Sequence, residues 1–147
     1  MAKNKLDLLL KLETDKEENL RINYVQAQQN FVSNQQKLQG LNDFRLEYSQ
    51  QLHNRAKQGM SCESIKQYNS FINKIEEAIN QQATTVRTAK QVEEQRRKLW
   101  LAQQAKTKAI AKLIEKKAIE KQVKENKAEQ KMLDEFATNI FMRRVAS

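Results

Sequence analysis

A seven-residue repeat of apolar side chains constrains this chain more than any other feature. In the first half, ten positions alternate by four and three residues, and eight are apolar or aromatic: Leu20, Tyr24, Ala27, Phe31, Asn34, Leu38, Leu41, Arg45, Tyr48 and Leu52. A second run with the same spacing extends from Ile65 to Trp100. A mean spacing of about 3.5 residues keeps one stripe of an α-helix facing a partner helix, whereas a strand needs a period of two. The repeat therefore predicts two long helices.

The segment between the two runs predicts a turn. Gly59 suits the position after a helix end, where the left-handed backbone favours glycine. Ser61 suits the N-cap of the next helix, and Glu63 falls in its first turn, where a carboxylate opposes the helix dipole. So short a break makes the helices antiparallel neighbours. The expected bounds are about 4–57 for helix 1, 58–61 for the turn and 62–144 for helix 2, within one elongated domain of residues 1–147.

The register of such a hairpin can be tested on the sequence. A turn centred on residue 59 pairs positions whose numbers sum to about 117, and Leu38 with Ile79 is one apolar pair of this kind. We therefore predict an all-α fold, a long two-helix antiparallel coiled-coil hairpin. Residue 4 pairs near residue 113, so the chain from about residue 114 onward is predicted to be a C-terminal helical overhang.

The overhang is expected to bind another molecule. Residues 87–131 carry 14 Lys/Arg against 6 Asp/Glu, a net charge of +8 out of the +9 of the whole chain. This favours an acidic partner surface. The lysines surround the helix and no aromatics are spaced for base stacking, so nucleic acid is not expected; a solvated basic helix, an acidic protein cavity and an anionic lipid surface stay open. An apolar face then follows at Met132, Leu133, Phe136, Ala137, Ile140 and Phe141.

The residue types needed for catalysis do not occur together. His53 stands alone, and Cys62 is the only cysteine and has no adjacent base to activate it. The sequence has no glycine-rich phosphate loop and no paired carboxylates, so neither an enzyme nor a metal or cofactor site is expected. The leucines near the N-terminus form too short and too charged a run to span a membrane. We expect a soluble protein in a reducing, cytosolic setting.

Six residues near the turn form a candidate docking patch. Phe44 and Phe71 lie one step off the repeat, so they should be only partly covered, and an exposed aromatic pair beside a core is typical of a docking surface. A pure core role for these residues is the alternative. Gly40 is either a tolerated helix glycine or a place of bending or close approach beside the patch. The six residues are Leu41, Phe44, Tyr48, Phe71, Ile75 and Ala78.

Three segments of the chain resemble the flagellar export protein FliJ family. The first contains Leu41, Phe44 and Tyr48 before the turn, and the second is YNSFINKIEEAI (Tyr68–Ile79) after it. The third is the ending KMLDEFA (Lys131–Ala137) followed by Met-Arg-Arg. The length and the hairpin spacing also agree, so the resemblance covers essentially the whole chain.

The resemblance implies a non-enzymatic part of the bacterial flagellar type III export apparatus, which supports flagellum assembly, motility and chemotaxis. It implies a central-stalk-like protein in the cytoplasm, peripheral at the cytoplasmic face of the inner membrane at the flagellar base. The implied partners are the hexameric flagellar export ATPase, the cytoplasmic domain of the membrane export gate protein and export chaperones.

The resemblance also assigns residues to these partners. The docking patch of Leu41, Phe44, Tyr48, Phe71, Ile75 and Ala78 matches the family's gate-binding patch. Lys37 and Gln82 depart from the family's pattern, which has Gln and His there. The ATPase-ring-binding residues would be Met132, Leu133, Phe136, Ala137, Ile140, Phe141 and Arg143.

Three other functions fit the same repeat. The stalk protein of a virulence-type secretion system shares the fold and the mechanism. A basic coiled-coil arm that binds tRNA or another nucleic acid would show salt-sensitive binding. A homo-oligomeric scaffold would form a stable dimer.

Overall fold

Two long helices make up the fold. The structure is a computed structural model that describes residues 2–146, with side chains from Lys5 onward. It contains α1 (Ala2–Gln58) and α2 (Cys62–Ala146), and residues 2–146 include no strand. The two helices pack against each other, which confirms the predicted helical hairpin. Met1 and Ser147, which the predicted domain included, lie outside the described residues.

The turn between the helices is fixed by local backbone chemistry. Gly59 has a φ of 96°, in the left-handed region where glycine avoids the strain of a side chain, and its N–H donates to the carbonyl of Ala56 at 3.2 Å. Ser61 caps α2, because its hydroxyl oxygen accepts a hydrogen bond from the N–H of Ser64 at 3.2 Å. This bond satisfies one of the donors that a helix start leaves unpaired. The predicted roles of Gly59 and Ser61 are confirmed.

The residues of the repeat face the other helix. All the repeat positions in both runs are buried or half-buried, with the exceptions of Arg45 and Arg96. Long charged side chains of this kind keep their head groups in water even at a helix interface. The most buried apolar residues are Ala27, Ile75 and Ala89. The interhelical seam is therefore narrow, and most of its side chains remain partly accessible.

The contacts divide the chain into two compact units. The first, called the turn unit, comprises Glu18–Ala102. Within it, the amide of Gln82 donates to the backbone oxygen of Asn34 at 2.9 Å and to its side-chain oxygen at 3.1 Å. The ring of Tyr24 stacks on the indole of Trp100, with centroids 5.4 Å apart and an angle of 18° between the planes. The contact of Gln82 with Asn34 follows the predicted register, whereas the numbers of Tyr24 and Trp100 sum to 124, seven more than that register gives.

The second unit, called the terminal unit, comprises the described residues up to Glu17 and those from Gln103 onward. Its centre is polar: Glu13 is only 3% exposed. The amide of Gln103 donates both to the Glu13 carboxylate and to the Glu13 backbone oxygen, the latter at 3.2 Å. The hydroxyl of Thr107 lies 3.3 Å from the same backbone oxygen. The ammonium groups of Lys16 and Lys106 each lie 3.5 Å from the carboxylate.

Beyond residue 114, α2 continues with no buried or half-buried residue among those described. Every residue from Glu115 to Ala146 is exposed, and this stretch is called the overhang. Its side-chain hydrogen bonds join residues four apart on the same helix, such as the amide of Gln122 with Asn126 at 3.1 Å. Such local pairs stabilise a helix by only a few tenths of a kcal/mol each. The overhang is therefore a continuous helix that exposes a long surface to a partner.

Candidate partner-binding surfaces

Four rings on the two helices contact one another in the turn unit, and they are called the aromatic cluster: Phe44, Tyr48, Tyr68 and Phe71. Tyr48 lies at its centre, with its ring centroid 4.8 Å from that of Phe71 and 4.9 Å from that of Tyr68. Phe44 meets Phe71 edge to face at 6.2 Å and 79°. Pairs of rings in this geometry contribute about 0.5–1.5 kcal/mol beyond the area they bury. The cluster is therefore held in a fixed arrangement on both helices.

The aromatic cluster is partly core and partly surface. Phe44 is 44% exposed and Phe71 is 40% exposed, although both rings touch Tyr48. Ile75 is only 5% exposed, so it belongs to the interhelical core. Leu41 and Ala78, the remaining residues of the predicted patch, are half-buried. The structure thus brings three predicted patch residues into ring contact and leaves the two phenylalanines open to a partner.

Polar side chains flank the exposed ring of Phe44 on α1. Asp43 and Glu47 are exposed and lie one residue before and three residues after it. The amide of Gln39 donates to the Asp43 carboxylate at 3.0 Å, which holds that side chain against the helix. The stretch of α1 around Phe44 therefore carries two exposed carboxylates and one exposed guanidinium, that of Arg45.

The second candidate surface is the end of the overhang, called the terminal apolar surface and made of the predicted residues Met132, Leu133, Phe136, Ala137, Ile140 and Phe141. All six are exposed; Met132 is 71% and Phe136 65% accessible. Apolar side chains rarely lie together on the surface of a monomer unless they bind a partner or a membrane. Arg143 is also exposed, in the last turn, where a positive charge is favourable against the helix dipole.

Along the chain, basic residues precede the terminal apolar surface, and two acidic residues lie within it. The basic stretch of residues 87–131 ends where the apolar residues begin, and Asp134 and Glu135 lie among them. The carbonyl of Asp134 accepts a hydrogen bond from the Thr138 hydroxyl at 2.8 Å, and its carboxylate accepts one from Gln130 at 3.3 Å. Along α2, a positively charged stretch therefore precedes an apolar helix end.

The structure adds residues that the sequence reasoning did not select. Tyr68 joins the aromatic cluster; the repeat had placed it in the seam without assigning it to the patch. Met142 and Val145 are exposed beside the terminal apolar surface. Leu8 and Leu12 are more than half exposed on α1. The run LDLLLKL was the signal for these leucines, because consecutive leucines on a helix cannot all face one seam.

The buried carboxylate of Glu13 is another feature that the sequence reasoning only partly anticipated. The repeat, extended backwards, placed Glu13 in the seam, but it did not indicate what the carboxylate would contact. The hydrogen bond from Gln103 lowers the pKa of Glu13, and the positive charges of Lys106 and Lys16 act in the same direction against the opposing effect of burial. Glu13 is therefore a charged group held inside the seam by its partners.

Other kinds of site find no support in the described part of the chain. Among residues 2–146, no group of three or more His, Cys, Asp or Glu side chains could hold a metal ion. Cys62 is exposed at the start of α2. Neither described helix has a stretch that is long and apolar enough to cross a membrane.

Comparison with known proteins gives one match. The sequence model of the family described as "Flagellar FliJ protein" matches residues 2–146 of this chain. No curated protein and no solved structure matches it. The matched range contains both the aromatic cluster and the terminal apolar surface.

Proposed function

The chain belongs to the flagellar FliJ protein family, a family of flagellar export-associated proteins, and on that premise we propose that it is a stalk-like export protein whose overhang binds the hexameric export ATPase. In this proposal it acts without catalysing a reaction, in the cytoplasm and at the cytoplasmic face of the inner membrane at the flagellar base. It supports the export of flagellar proteins, and with it flagellum assembly and motility.

One observation carries the proposal: the terminal apolar surface is exposed on a helix that nothing else in the described chain covers. Two phenylalanines, Phe136 and Phe141, are each 65% exposed there. Burying an apolar side chain of this size contributes roughly 1.5–3 kcal/mol. Aromatic residues inserted into a partner's pocket are also the residues that dominate binding energy at interfaces. Burial of these side chains would contribute this free energy to the binding of a protein partner that encloses the helix end.

The charge pattern supports an acidic surface on the partner. The lysines of the overhang lie on one side of the helix rather than around it, within an arc of about 140° at 3.6 residues per turn: Lys116, Lys117, Lys121, Lys124, Lys127 and Lys131. A wall of the partner that is lined by carboxylates would meet this side, and complementary potentials of this kind mainly speed association and orient the partners. Contacts that differ between the states of the ring would then link the ATPase cycle to the position of the helix.

The aromatic cluster supplies the second contact of the proposal. We assign it to the cytoplasmic domain of the membrane export gate, because Phe44 and Phe71 present accessible ring surface while Tyr48 and Ile75 fix their positions. The two proposed contacts lie in different compact units of the chain. One chain could therefore bind the ATPase and the gate with separate residues, and export chaperones complete the proposed set of partners.

The test of the ATPase contact is a pair of alanine substitutions, Phe136→Ala with Phe141→Ala, in the full-length chain. We expect the affinity for the purified export ATPase to fall by at least about tenfold, because each ring is a candidate hot spot worth more than about 1 kcal/mol. Stimulation of ATP hydrolysis should fall with it. Isothermal titration calorimetry and a steady-state ATPase assay measure the two effects.

The matched control is Ile22→Ala with Leu99→Ala, which removes two exposed apolar side chains from the turn unit. This variant should bind and stimulate the ATPase as the unsubstituted chain does. The circular dichroism of the Phe136→Ala, Phe141→Ala variant should match that of the unsubstituted chain, because both rings are largely exposed in the structure. Unchanged binding by the Phe136→Ala, Phe141→Ala variant would show that the terminal apolar surface is not the ATPase contact.

A further inference from the structure

The terminal apolar surface occupies one side of the overhang. At 3.6 residues per turn, its six side chains fall within an arc of about 180°. Asp134 and Glu135 occur between them in the sequence but project from the other half of the helix. The lysines of residues 116–131 project from that other half as well. The apolar side therefore carries no charged residue between Met132 and Phe141.

Charged residues extend the apolar side at both of its ends, with a different sign at each end. Glu125 and Glu129 precede the apolar residues, and Arg143 and Arg144 follow them. All four are exposed, and all four fall within the same arc of about 180°. The other charged residues of the stretch 125–144 lie outside this arc. One side of the helix thus changes from acidic through apolar to basic.

A helix side of this kind is complementary to itself in the antiparallel direction. Two identical antiparallel helices bring together residues whose numbers have a constant sum. With a sum of 273, Leu133 meets Ile140 of the second copy, and Phe136 meets Ala137, a large side chain against a small one. The same register places Glu129 opposite Arg144. Because a two-fold axis relates the copies, each contact occurs twice.

The apolar and charged residues agree on this one register. A shift by one heptad in one direction would place Arg144 against Phe136 of the second copy. A shift in the other direction would place Glu129 against Ala137. A parallel pair would bring the acidic ends together and the basic ends together, and like charges facing each other in an interface disfavour a complex.

We propose that the terminal apolar surface of the free chain binds the same surface of a second copy, in an antiparallel contact with Glu129 opposite Arg144 at each end. The contact covers about four turns of helix on each copy. Interfaces of so small an area are typical of weak complexes, so the dimer is reversible. The proposed ATPase contact uses the same side chains, so a chain binds either the ATPase or a second copy.

The test reverses one charge of the pair at a time in the full-length chain. Glu129→Arg or Arg144→Glu alone gives like charges at both pairs of its own dimer, whereas a mixture of the two variants restores opposite charges at both pairs. The matched control is Glu115→Arg, because Glu115 is exposed and lies on the same side of the overhang, outside the paired stretch of residues 129–144. Leu133→Ala with Ile140→Ala removes the central apolar pair.

Sedimentation velocity over a range of chain concentrations gives the dissociation constant of the dimer, and circular dichroism gives the helical content of each variant. A fluorescent label on one variant identifies dimers that contain one copy of each. The ATPase is absent from these measurements, so their outcome is independent of the proposed ATPase contact.

We expect the unsubstituted chain and Glu115→Arg to form dimers as the chain concentration rises. Each charge-reversed variant alone should raise the dissociation constant by about tenfold or more, because like charges then face each other twice. The mixture of Glu129→Arg with Arg144→Glu should form dimers with the affinity of the unsubstituted chain. The variant with Leu133→Ala and Ile140→Ala should stay monomeric and keep its helical content.

Four results would overturn the dimer. The first is an unsubstituted chain that stays monomeric at every concentration, whether or not it binds the ATPase. The second is a monomeric chain that sediments with vesicles of anionic phospholipid, which would make a membrane surface the occupant. Association that persists after Leu133→Ala with Ile140→Ala would place the contact between copies elsewhere. A mixture of the charge-reversed variants that associates no better than each variant alone would contradict the antiparallel register.

Discussion

A carboxylate inside a helix–helix seam destabilises a protein unless its oxygens are hydrogen-bonded and its charge is balanced. Glu13 meets both conditions, because Gln103 donates to it and two lysines lie 3.5 Å away. These contacts lower the pKa of Glu13, because they favour its charged form in the folded state. At the residue scale, a polar group in the seam thus contributes to stability in a pH-dependent way.

This gives a prediction for Glu13→Gln. The folded-state pKa of Glu13 lies below its unfolded value of about 4.3, so the stability from its charge is fully present above that pH. It is lost as the pH falls through the lower folded-state pKa. The unsubstituted chain should therefore unfold at a higher temperature than the variant at neutral pH, and this difference should disappear in acid. Thermal unfolding followed by circular dichroism across the pH range measures it.

The control for that prediction is Glu115→Gln, which neutralises an exposed glutamate at the start of the overhang. It should leave the unfolding temperature nearly unchanged at each pH, because exposed charges contribute little to stability. A difference between the unsubstituted chain and Glu13→Gln that stays constant down to strongly acid pH would contradict the prediction.

At the scale of the element, α2 joins two kinds of helix. Its first part packs on α1 along the seam, whereas the described residues of the overhang are all exposed and depend mainly on propensity, local pairs and continuation of an existing helix. Extending a helix is far easier than nucleating one, so a packed segment can support a lone segment that follows it. The absence of proline and the many Lys, Glu, Gln and Ala residues favour this state.

Ending the chain after Ile114 tests this description of α2. The unfolding temperature should change by only a few degrees, because every described residue removed is exposed. The helical signal per molecule should fall in proportion to the residues removed, because the overhang is helical in the free chain. Circular dichroism measures both quantities. A large drop in unfolding temperature, or an almost unchanged helical signal, would contradict the prediction.

At the scale of the whole molecule, positive charge is concentrated in the part of α2 that precedes the terminal apolar surface. The stretch of residues 87–131 carries +8 of the net +9. Near the aromatic cluster, by contrast, Lys37, Arg45 and Lys74 are nearly balanced by Asp43, Glu47, Glu76 and Glu77. The two surfaces should therefore respond differently to ionic strength, since salt screens the attraction between exposed charges over about 10 Å at 0.1 M.

We predict that ATPase binding and gate binding differ in how strongly they depend on the salt concentration. Raising the salt concentration from low values towards 1 M, where the screening length is about 3 Å, should weaken ATPase binding strongly and gate binding only slightly. Calorimetry with each partner at several salt concentrations measures the two slopes. Equal slopes for both partners would contradict the assignment of the basic stretch of residues 87–131, together with the overhang, to the ATPase. Tight, salt-sensitive binding of RNA would favour the nucleic-acid arm instead.

Much of the fold could be predicted because the signals that specify it are local. The repeat indicated which residues face the seam, and Gly59 and Ser61 marked the turn through backbone and capping preferences that act within a few residues. The constant register of an antiparallel hairpin then placed the overhang. The terminal apolar surface could be named for the same reason, since its exposure follows from the lack of a facing helix.

The sequence by itself therefore determined the two helices, their pairing and the unpaired apolar end, and the family match agrees with the resemblance seen in its motifs. Only the tertiary structure decided how much of each ring is exposed, that Ile75 is core, that Gln103 reaches Glu13, and that Gly40 faces open space. These properties depend on distances between side chains that are tens of residues apart in sequence. Periodicity fixes which face a residue occupies, whereas the packing of two helices fixes what that residue touches.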